Sequence, residues 1–460
     1  MKKIETDILL VGAGIMSTTL ASLLVKLGQK KHNILISERL TNSGLESSDA
    51  LNNAGTGHAG YCELNYTPIN SQGKIDISRA IKINKAFSDS ELFWNYLVSE
   101  GDIKGDFMSK MPHISFVNNA SDVSFLKHRF NKLSKTKKFK DKIVFSDNKE
   151  EIKKWIPLMM EGRHDEFVAA TKVDSGLEVD FGRLARYLTK YLLKNGVNIK
   201  YNEEVVDIYK ENEKWVVTQK NLNTGEKTKI TTKYLFIGAG GASINLLSKS
   251  GIPEVKGYGG FPVSGEWFIC KNKRVVSKHF AKAYGKPNEG NPPMTAPHLD
   301  MRIINGKKCL LFGPYAIGTT KLLKFGSWTD LFKSISLSNF KNMLKAGINN
   351  TVLIKYLFGE LIKTKKQKFN ELLKFYPNAK ETDWELLTAG QRVQVIKVKD
   401  GKTIIQFDTE LLISEDKTIA GLLGASPGAS TSVNIMLDLI NQSFGGEDHK
   451  IKIPKTSKNG

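Results

Sequence analysis

No stretch limits the fold of this chain as much as residues 6–39, TDILLVGAGIMSTTLASLLVKLGQKKHNILISER. Ile8–Val11 is an unbroken apolar run, which suits a strand buried on both faces. Gly12, Gly14 and Ser17 follow as a G-x-G-x-x-S variant of the dinucleotide fingerprint. Leu20, Leu23, Leu24 and Leu27 recur at helical spacing, and Gly28 supplies a stop. Ile34–Ile36 read as a second strand ending at Glu38 and Arg39. Each position has a physical task. Gly12 permits the tight turn, Gly14 lets backbone approach a pyrophosphate, and the small Ser17 allows close helix–strand packing. The helix N-terminus offers free N–H groups and a positive dipole to phosphates. Glu38 stands where ribose hydroxyls are bound and disfavours the 2′-phosphate of NADP.

The chain has 460 residues, more than one ordinary domain. At 40% hydrophobic and 25% charged it can bury a large core. Cys62, Cys270 and Cys309 lie far apart and form no CxxC, so neither a disulfide framework nor a zinc or other metal site is expected, and a reducing compartment fits. No apolar run reaches the roughly 18 residues of a membrane span. Lys2 and Lys3 before Ile8–Val11 imitate a signal peptide, but the run is too short and meets glycines at once, so the protein is read as cytosol-facing. The net charge of +21 raises the question of nucleic acid. Lys outnumbers Arg 59 to 9, whereas phosphate-reading surfaces favour the bidentate fork of Arg. No nucleic-acid partner is expected.

Two later segments bear on the cofactor. In TTKYLFIGAGGAS (231–243), Tyr234–Ile237 read as a strand, with Gly238, Gly240 and Gly241 behind it. No second acid-terminated strand follows, so this strand is read as returning to the first sheet and passing the same cofactor. In IAGLLGASPGASTSVNIMLDLI (419–440), a strand ends at Gly424, and Pro427, Gly428, Ser430 and Thr431 open an apolar-periodic helix. Such a helix N-terminus suits the reduced ring of a flavin. The stretch SSDALNNAGTGHAGYCELNYTP (47–68) has no periodicity. Ser48 and Asn53 suit pyrophosphate and ribityl oxygens, and Gly55 and Gly57 suit close backbone approach. Val206, in the strand EVVDIY, joins the same set.

The expected fold class is α/β (α+β overall). A discontinuous Rossmann-like FAD-binding domain occupies 1–80, 170–255 and 385–450. A substrate domain on a mixed or antiparallel sheet plus helices occupies 81–169 and 256–384, and a basic tail occupies 451–460.

Six motifs together, VGAGIMSTTLASLL, LESSDALNNAGTGHAGYCELNYTP, PPMTAPHLDMR, LFGPYA, AGQRVQVIK and GLLGASPGASTSVNIML, resemble the malate:quinone oxidoreductase family. They run in order from residue 7 to about residue 445. The resemblance implies FAD, oxidation of (S)-malate to oxaloacetate within the tricarboxylic acid cycle, a membrane quinone as acceptor, and peripheral attachment to the inner face of the cell membrane.

Malate oxidation needs a base for the hydroxyl proton, cations for two carboxylates, and a hydride acceptor. In PHLDMRII (297–304) alternation puts His298, Asp300 and Arg302 on one face. His298 is the preferred base, Arg302 a carboxylate clamp, and Asp300 a partner for either. The resemblance places Arg392 beside the flavin as the second clamp, with Gln394 on its face by alternation. His58, between flexible glycines, is the rival base, and His279 the third choice. Residues 321–374 hold eleven Lys against Asp330, Glu360 and Glu371, interleaved with Leu, Phe, Ile and Trp328. That pattern suits helices with solvated lysines, or contact with an anionic membrane and a lipid-soluble quinone. Two readings compete with malate: another 2-hydroxy acid such as L-2-hydroxyglutarate, and, remotely, a flavin-containing RNA-binding protein.

Overall fold

A computed structural model describes residues 1–28, 32–287, 296–335, 359–360, 362–399, 402–406, 409–424 and 428–445. The basic tail, Pro427 and much of the 321–374 block lie outside the described residues. Strand Lys2–Val11 runs through Gly12 into helix Ile15–Lys26, and strand Ile34–Ser37 returns beside it in parallel. Leu9, Leu10, Leu20 and Leu24 are fully buried, each contributing about 2 kcal/mol of burial.

Among the described residues the first sheet has eight strands. Its path is Glu410–Ile413, Ile419–Leu423, Lys227–Ile237, Lys2–Val11, Ile34–Ser37, Asn198–Lys200. Pairing is parallel along it except at the Glu410–Ile413 edge. The hairpin Glu203–Glu211 and Lys214–Asn221 joins the first half of Lys227–Ile237, whose last residues pair with Ile419–Leu423. The expected return strand is therefore in place. Helices Phe181–Lys194 and Ser432–Ser443 each pack against helix Ile15–Lys26 over one face. Three parallel strands end at Val11, Ile237 and Leu423, and each is followed by a glycine, Gly12, Gly238 or Gly424. In open α/β sheets ligands bind at such carboxyl ends.

The second sheet has nine described strands, in the order Lys402–Gln406, Trp384–Lys399, Gly259–Cys270, Lys307–Gly318, His298–Ile304, Lys282–Tyr284, His113–Val117, Ala169–Val173, Ile143–Ser146. Only Lys282–Tyr284 beside His113–Val117 is parallel. One face packs Phe268 and Phe312 against Phe369 and Leu372 of helix Lys365–Phe375. The other packs Trp267, Ile269 and Leu311 against Ala54 of the 47–68 stretch.

Three elements cross the expected domain limits. The AGQRVQVIKV strand belongs to the second sheet, because its two-residue period matches strand Gly259–Cys270 along most of its length. Strand Ala169–Val173 also belongs there. Helix Ser78–Ser99, by contrast, buries Phe87, Phe93 and Trp94 in the core of the first sheet. Among the described residues no helix is long and apolar enough to cross a membrane.

Candidate active site

The strand ends open into a cleft of about 990 Å³. Gly12, Gly14, Glu38, Arg39, Ser48 and Val206 line one part of it. Asn53, Gly55, Gly238, Gly240, Gly424, Gly428 and Ser430 line the rest. Gly12 has φ +92°, and a Cβ there would stand 2.5 Å from the Gly238 carbonyl oxygen. Ser17 is buried behind the wall, where its hydroxyl would overlap any Cβ added at Gly238. It thus has the packing task read from the fingerprint. Gly57 also lies behind the wall. A Cβ there would stand 2.7 Å from the Phe87 ring, so the glycine serves packing on helix Ser78–Ser99, not the expected approach to a ligand.

Helix Ile15–Lys26 has no side-chain cap and no acid in its first turn. Its Ile15 N–H donates to Ser48 Oγ at 3.0 Å. Glu38 pins the fingerprint turn: Oε2 accepts Ala13 N–H at 2.6 Å and Oε1 accepts Leu40 N–H at 2.8 Å. Each carboxylate oxygen keeps a lone pair for a further donor. Helix Ser432–Ser443 likewise has no side-chain cap and no acid in its first turn. Just before it, Ser430 Oγ donates to the Thr56 carbonyl at 3.0 Å and accepts His58 N–H at 3.1 Å. Late and early segments of the chain are thereby joined at the cleft.

His58 and Arg392 both line the cleft, with Thr56 and Gln391. Arg392 comes from the second sheet, opposite Val263. Gln394, on its face by the period of the strand, pairs opposite Phe261 and is buried. His58 Nδ1 lies 2.6 Å from Glu63 Oε1. Burial works to raise the Glu63 carboxyl, but the hydrogen bond and charge of His58 outweigh it and hold it below its ordinary value.

His298 and Arg302 do not line the cleft, which corrects the roles expected of them. Alternation does put them on one face with Asp300, but that face is covered by the 50–56 turn and by strand Leu177–Val179. His298 is 5% exposed, with Nδ1 2.7 Å from Asp300 Oδ2 and its ring stacked on Tyr284 at 4.2 Å. Arg302 is fully buried. Its Nε donates to Glu178 Oε1 at 2.6 Å, and its Nη1 donates to the carbonyls of Ala50, at 2.7 Å, and Asn53. Lys282, also fully buried, pairs with Glu178 and donates to the Ala54 carbonyl at 2.8 Å. Despite its burial, Asp300 is held below the ordinary carboxylate range by His298, Lys282 and Arg302. Two buried cations thus carry three carbonyls of the turn, those of Ala50, Asn53 and Ala54. Backbone bonds from Val179 N–H to Gly55 and from Gly57 N–H to Leu177 complete the strap. Tyr284 hydroxyl and Thr56 Oγ1 lie 2.9 Å apart. His279 is a buried core residue, bonded through Nε2 to the Leu299 carbonyl at 3.1 Å.

Glu63, Glu178 and Lys282 escape sequence reading. The signal available is a lone charge inside short apolar runs, GLEV and AKAY. A second omission is the segment 319–335. Leu322, Phe325, Asp330 and Lys333 line the cleft, although the block is read from sequence as helices with solvated lysines or as a membrane and quinone surface. Lys324 fastens the segment, its N–H donating to Glu46 and its Nζ to Asn52 Oδ1 at 2.8 Å and the Thr388 carbonyl at 3.0 Å. Arg39 Nη2 donates to the Phe325 carbonyl at 2.8 Å. Outward it presents Phe325, Trp328 and Phe332, 55%, 63% and 66% exposed.

A parallel nucleotide sheet whose strand ends face a cleft beneath a second, antiparallel sheet is the fold of the FAD-dependent oxidases. L-α-glycerophosphate oxidase of Mycoplasma pneumoniae, solved with FAD bound, superposes with TM-score 0.63 at 16% identity, covering 96% of this chain and 95% of that one. Glycine oxidase of Geobacillus kaustophilus gives TM-score 0.63 at 15% identity, covering 99% and 100%. These two show the fold alone. The family model for malate:quinone oxidoreductase matches residues 4–458. A probable malate:quinone oxidoreductase of Flavobacterium psychrophilum is 50% identical over 452 residues, 97% of this chain and 91% of the relative. Another, of Geobacillus sp. (strain WCH70), is 49% identical over 449 residues, 96% and 88%. The chain belongs to the malate:quinone oxidoreductase family, whose activity is oxidation of malate to oxaloacetate with a quinone as acceptor.

Proposed function

We propose that this chain oxidises (S)-malate with FAD held in the cleft, His58 acting as base and Arg392 as carboxylate clamp. The observation that carries this reading is that His58 and Arg392 line the same cleft as the fingerprint turn and the Gly428–Ser430 turn that leads into helix Ser432–Ser443. The donor set fits FAD. Glu38 suits ribose hydroxyls, the Gly14–Ile15 helix start suits the pyrophosphate, and Asn53 suits the ribityl chain. When bound, FAD supplies a two-electron acceptor for the hydride that leaves C2 of malate. The residues of this chain do the rest. His58 Nε2 takes the hydroxyl proton as the O–H bond breaks, so proton and hydride together leave oxaloacetate. Arg392 holds a malate carboxylate and fixes which hydrogen of the substrate faces the acceptor. Arg302, Lys282 and Glu178 hold the turn that carries Thr56 and His58. The second sheet roofs the cleft and limits access of water.

Peripheral contact with the inner face of the cell membrane fits a lipid-soluble acceptor. The exposed aromatic side chains of 325–332, set among lysines, suit such a surface. The test is anaerobic bleaching of the holoenzyme flavin by a panel of 2-hydroxy acids, followed by reoxidation with a quinone analogue. Bleaching by malate and recovery with the quinone are expected. Bleaching by L-2-hydroxyglutarate in place of malate would overturn the substrate.

A further inference from the structure

We propose that Glu63 is a positioning residue for His58, keeping the ring proton on Nδ1 so that Nε2 is the basic nitrogen offered to substrate. This rests on the reading of His58 as the base. An ionised carboxylate only accepts hydrogen bonds, so the 2.6 Å contact with Glu63 Oε1 requires the proton on Nδ1. No partner for Nε2 is found among the described residues, and His58 faces the cleft.

Both ends of the pair are fixed by the fold. The His58 backbone N–H is held by Ser430 Oγ at 3.1 Å. The Glu63 carbonyl accepts Tyr66 N–H at 3.2 Å, which closes the short turn Leu64–Tyr66. Buried Arg129, from helix Ala120–Leu133, braces that turn from below. Its Nε donates to Thr67 Oγ1 at 3.0 Å, and its Nη2 donates to the carbonyls of Gly60 at 3.2 Å and Tyr61 at 3.0 Å. The edges of Tyr66 and Tyr284 meet the His58 ring at centroid distances of 6.4 Å. A pinned imidazole with a buried carboxylate behind it is the arrangement that orients a base and stabilises the imidazolium it becomes.

The other charged or titratable groups around the pair do not replace this partner. Burial pushes His113 down to about 4, so it is neutral near pH 7. Burial pushes the Cys62 thiol and the Tyr284 phenol up, so both stay uncharged. Lys282 is held by Glu178 and the Ala54 carbonyl, and Asp300 by His298. Arg129 lies within electrostatic reach of Glu63, but it is His58, by hydrogen bond and charge, that offsets burial and holds the Glu63 carboxyl below its ordinary value. Glu63 has no ion pair other than His58 among the described residues, so its charge remains available to the protonated ring.

The experiment is stopped-flow anaerobic reduction of the holoenzyme flavin by malate in His58→Gln, Glu63→Gln, Glu63→Asp and the double Gln variant. Glu63→Gln is expected to slow reduction about 10²-fold, with flavin content and half-saturating malate within a few-fold of the parent. Glu63→Asp should recover part of the loss, and the double variant should be no slower than His58→Gln alone. A slow His58→Gln with a near-parental Glu63→Gln would overturn the positioning role and leave the base in place. A near-parental His58→Gln would instead overturn the base itself. Losses that multiply in the double variant would also overturn the coupling. If Glu63→Gln fails to fold, the imidazole ¹⁵N spectrum of the parent holoenzyme decides. An Nδ1–H ring supports the proposal, and an Nε2–H ring overturns it.

Discussion

Removing the Arg302 guanidinium would strip Glu178 of one buried partner and free the carbonyls of Ala50 and Asn53. Breaking a buried pair in this way costs about 3–5 kcal/mol. Arg302→Met is therefore expected to lower the denaturation midpoint sharply and to lose flavin during purification. Arg392→Met should act differently. A hydrogen bond to a charged group contributes about 1.5–3 kcal/mol, so half-saturating malate should rise about 10- to 100-fold while flavin content and melting stay near the parent. Equal losses of stability in the two variants would refute this division of roles. Both arginines were visible in the sequence, each in an alternating strand. What separates them is the depth of the layer each strand faces, and a two-residue period carries no depth. Glu38, Gly12 and Ser17 were legible because their tasks are local to one turn. Glu63 was not, because its partner is recognised only once the turn at 60–67 folds back on His58.

At the level of elements, His113 and His279 tie strands together through their Nε2 atoms, to the carbonyls of Leu177 and Leu299. Burial holds both imidazoles down to about 4 from an ordinary 6.5. The unfolded chain therefore binds protons in that window before the folded chain does. Stability is complete above about pH 6.5 and falls toward pH 4 by about 1.4 kcal/mol per pH unit for each histidine. Glu63 and Asp300 are depressed instead, so their contribution survives this window and is lost only below the ordinary carboxylate range. Urea unfolding at several pH values should give a visibly shallower slope in His279→Leu than in the parent, whatever the absolute stability of the variant. An unchanged slope would sink the assignment. The first sheet was legible because βαβ units announce themselves through continuous apolar runs, fingerprint and helix. The limits of the second sheet were not. Strand Trp384–Lys399 and helix Ser78–Ser99 show their secondary structure in their periods, but which core each joins depends on partners more than 70 residues away. The segment 319–335 holds only the short helix Asp330–Ser334, and its place over the cleft follows from the anchors Lys324 and Arg39.

For the whole molecule, the membrane contact proposed above would draw on both the charge of +21 and the exposed aromatic side chains at 325–332. Attraction to anionic lipid weakens with salt, whereas inserted aromatic area does not. Flotation with vesicles rich in anionic lipid should show binding that falls as salt rises. Replacing Phe325, Trp328 and Phe332 with Ser should lower the bound fraction about tenfold or more at constant charge. Equal flotation of parent and variant would place the contact elsewhere. The cleft itself is assembled from distant parts of the chain. Ser430 meets the Thr56 carbonyl across 374 residues of sequence, and Ile419–Leu423 completes a sheet begun by Lys2–Val11. At about 5–20 residues per second, a ribosome needs about 20–75 s between the two halves. A nascent chain that already displays the phosphate turn has nothing to close over a flavin. On the function proposed above, loading of the flavin would therefore follow synthesis of residues 419–430, the last part of the cleft wall to be made.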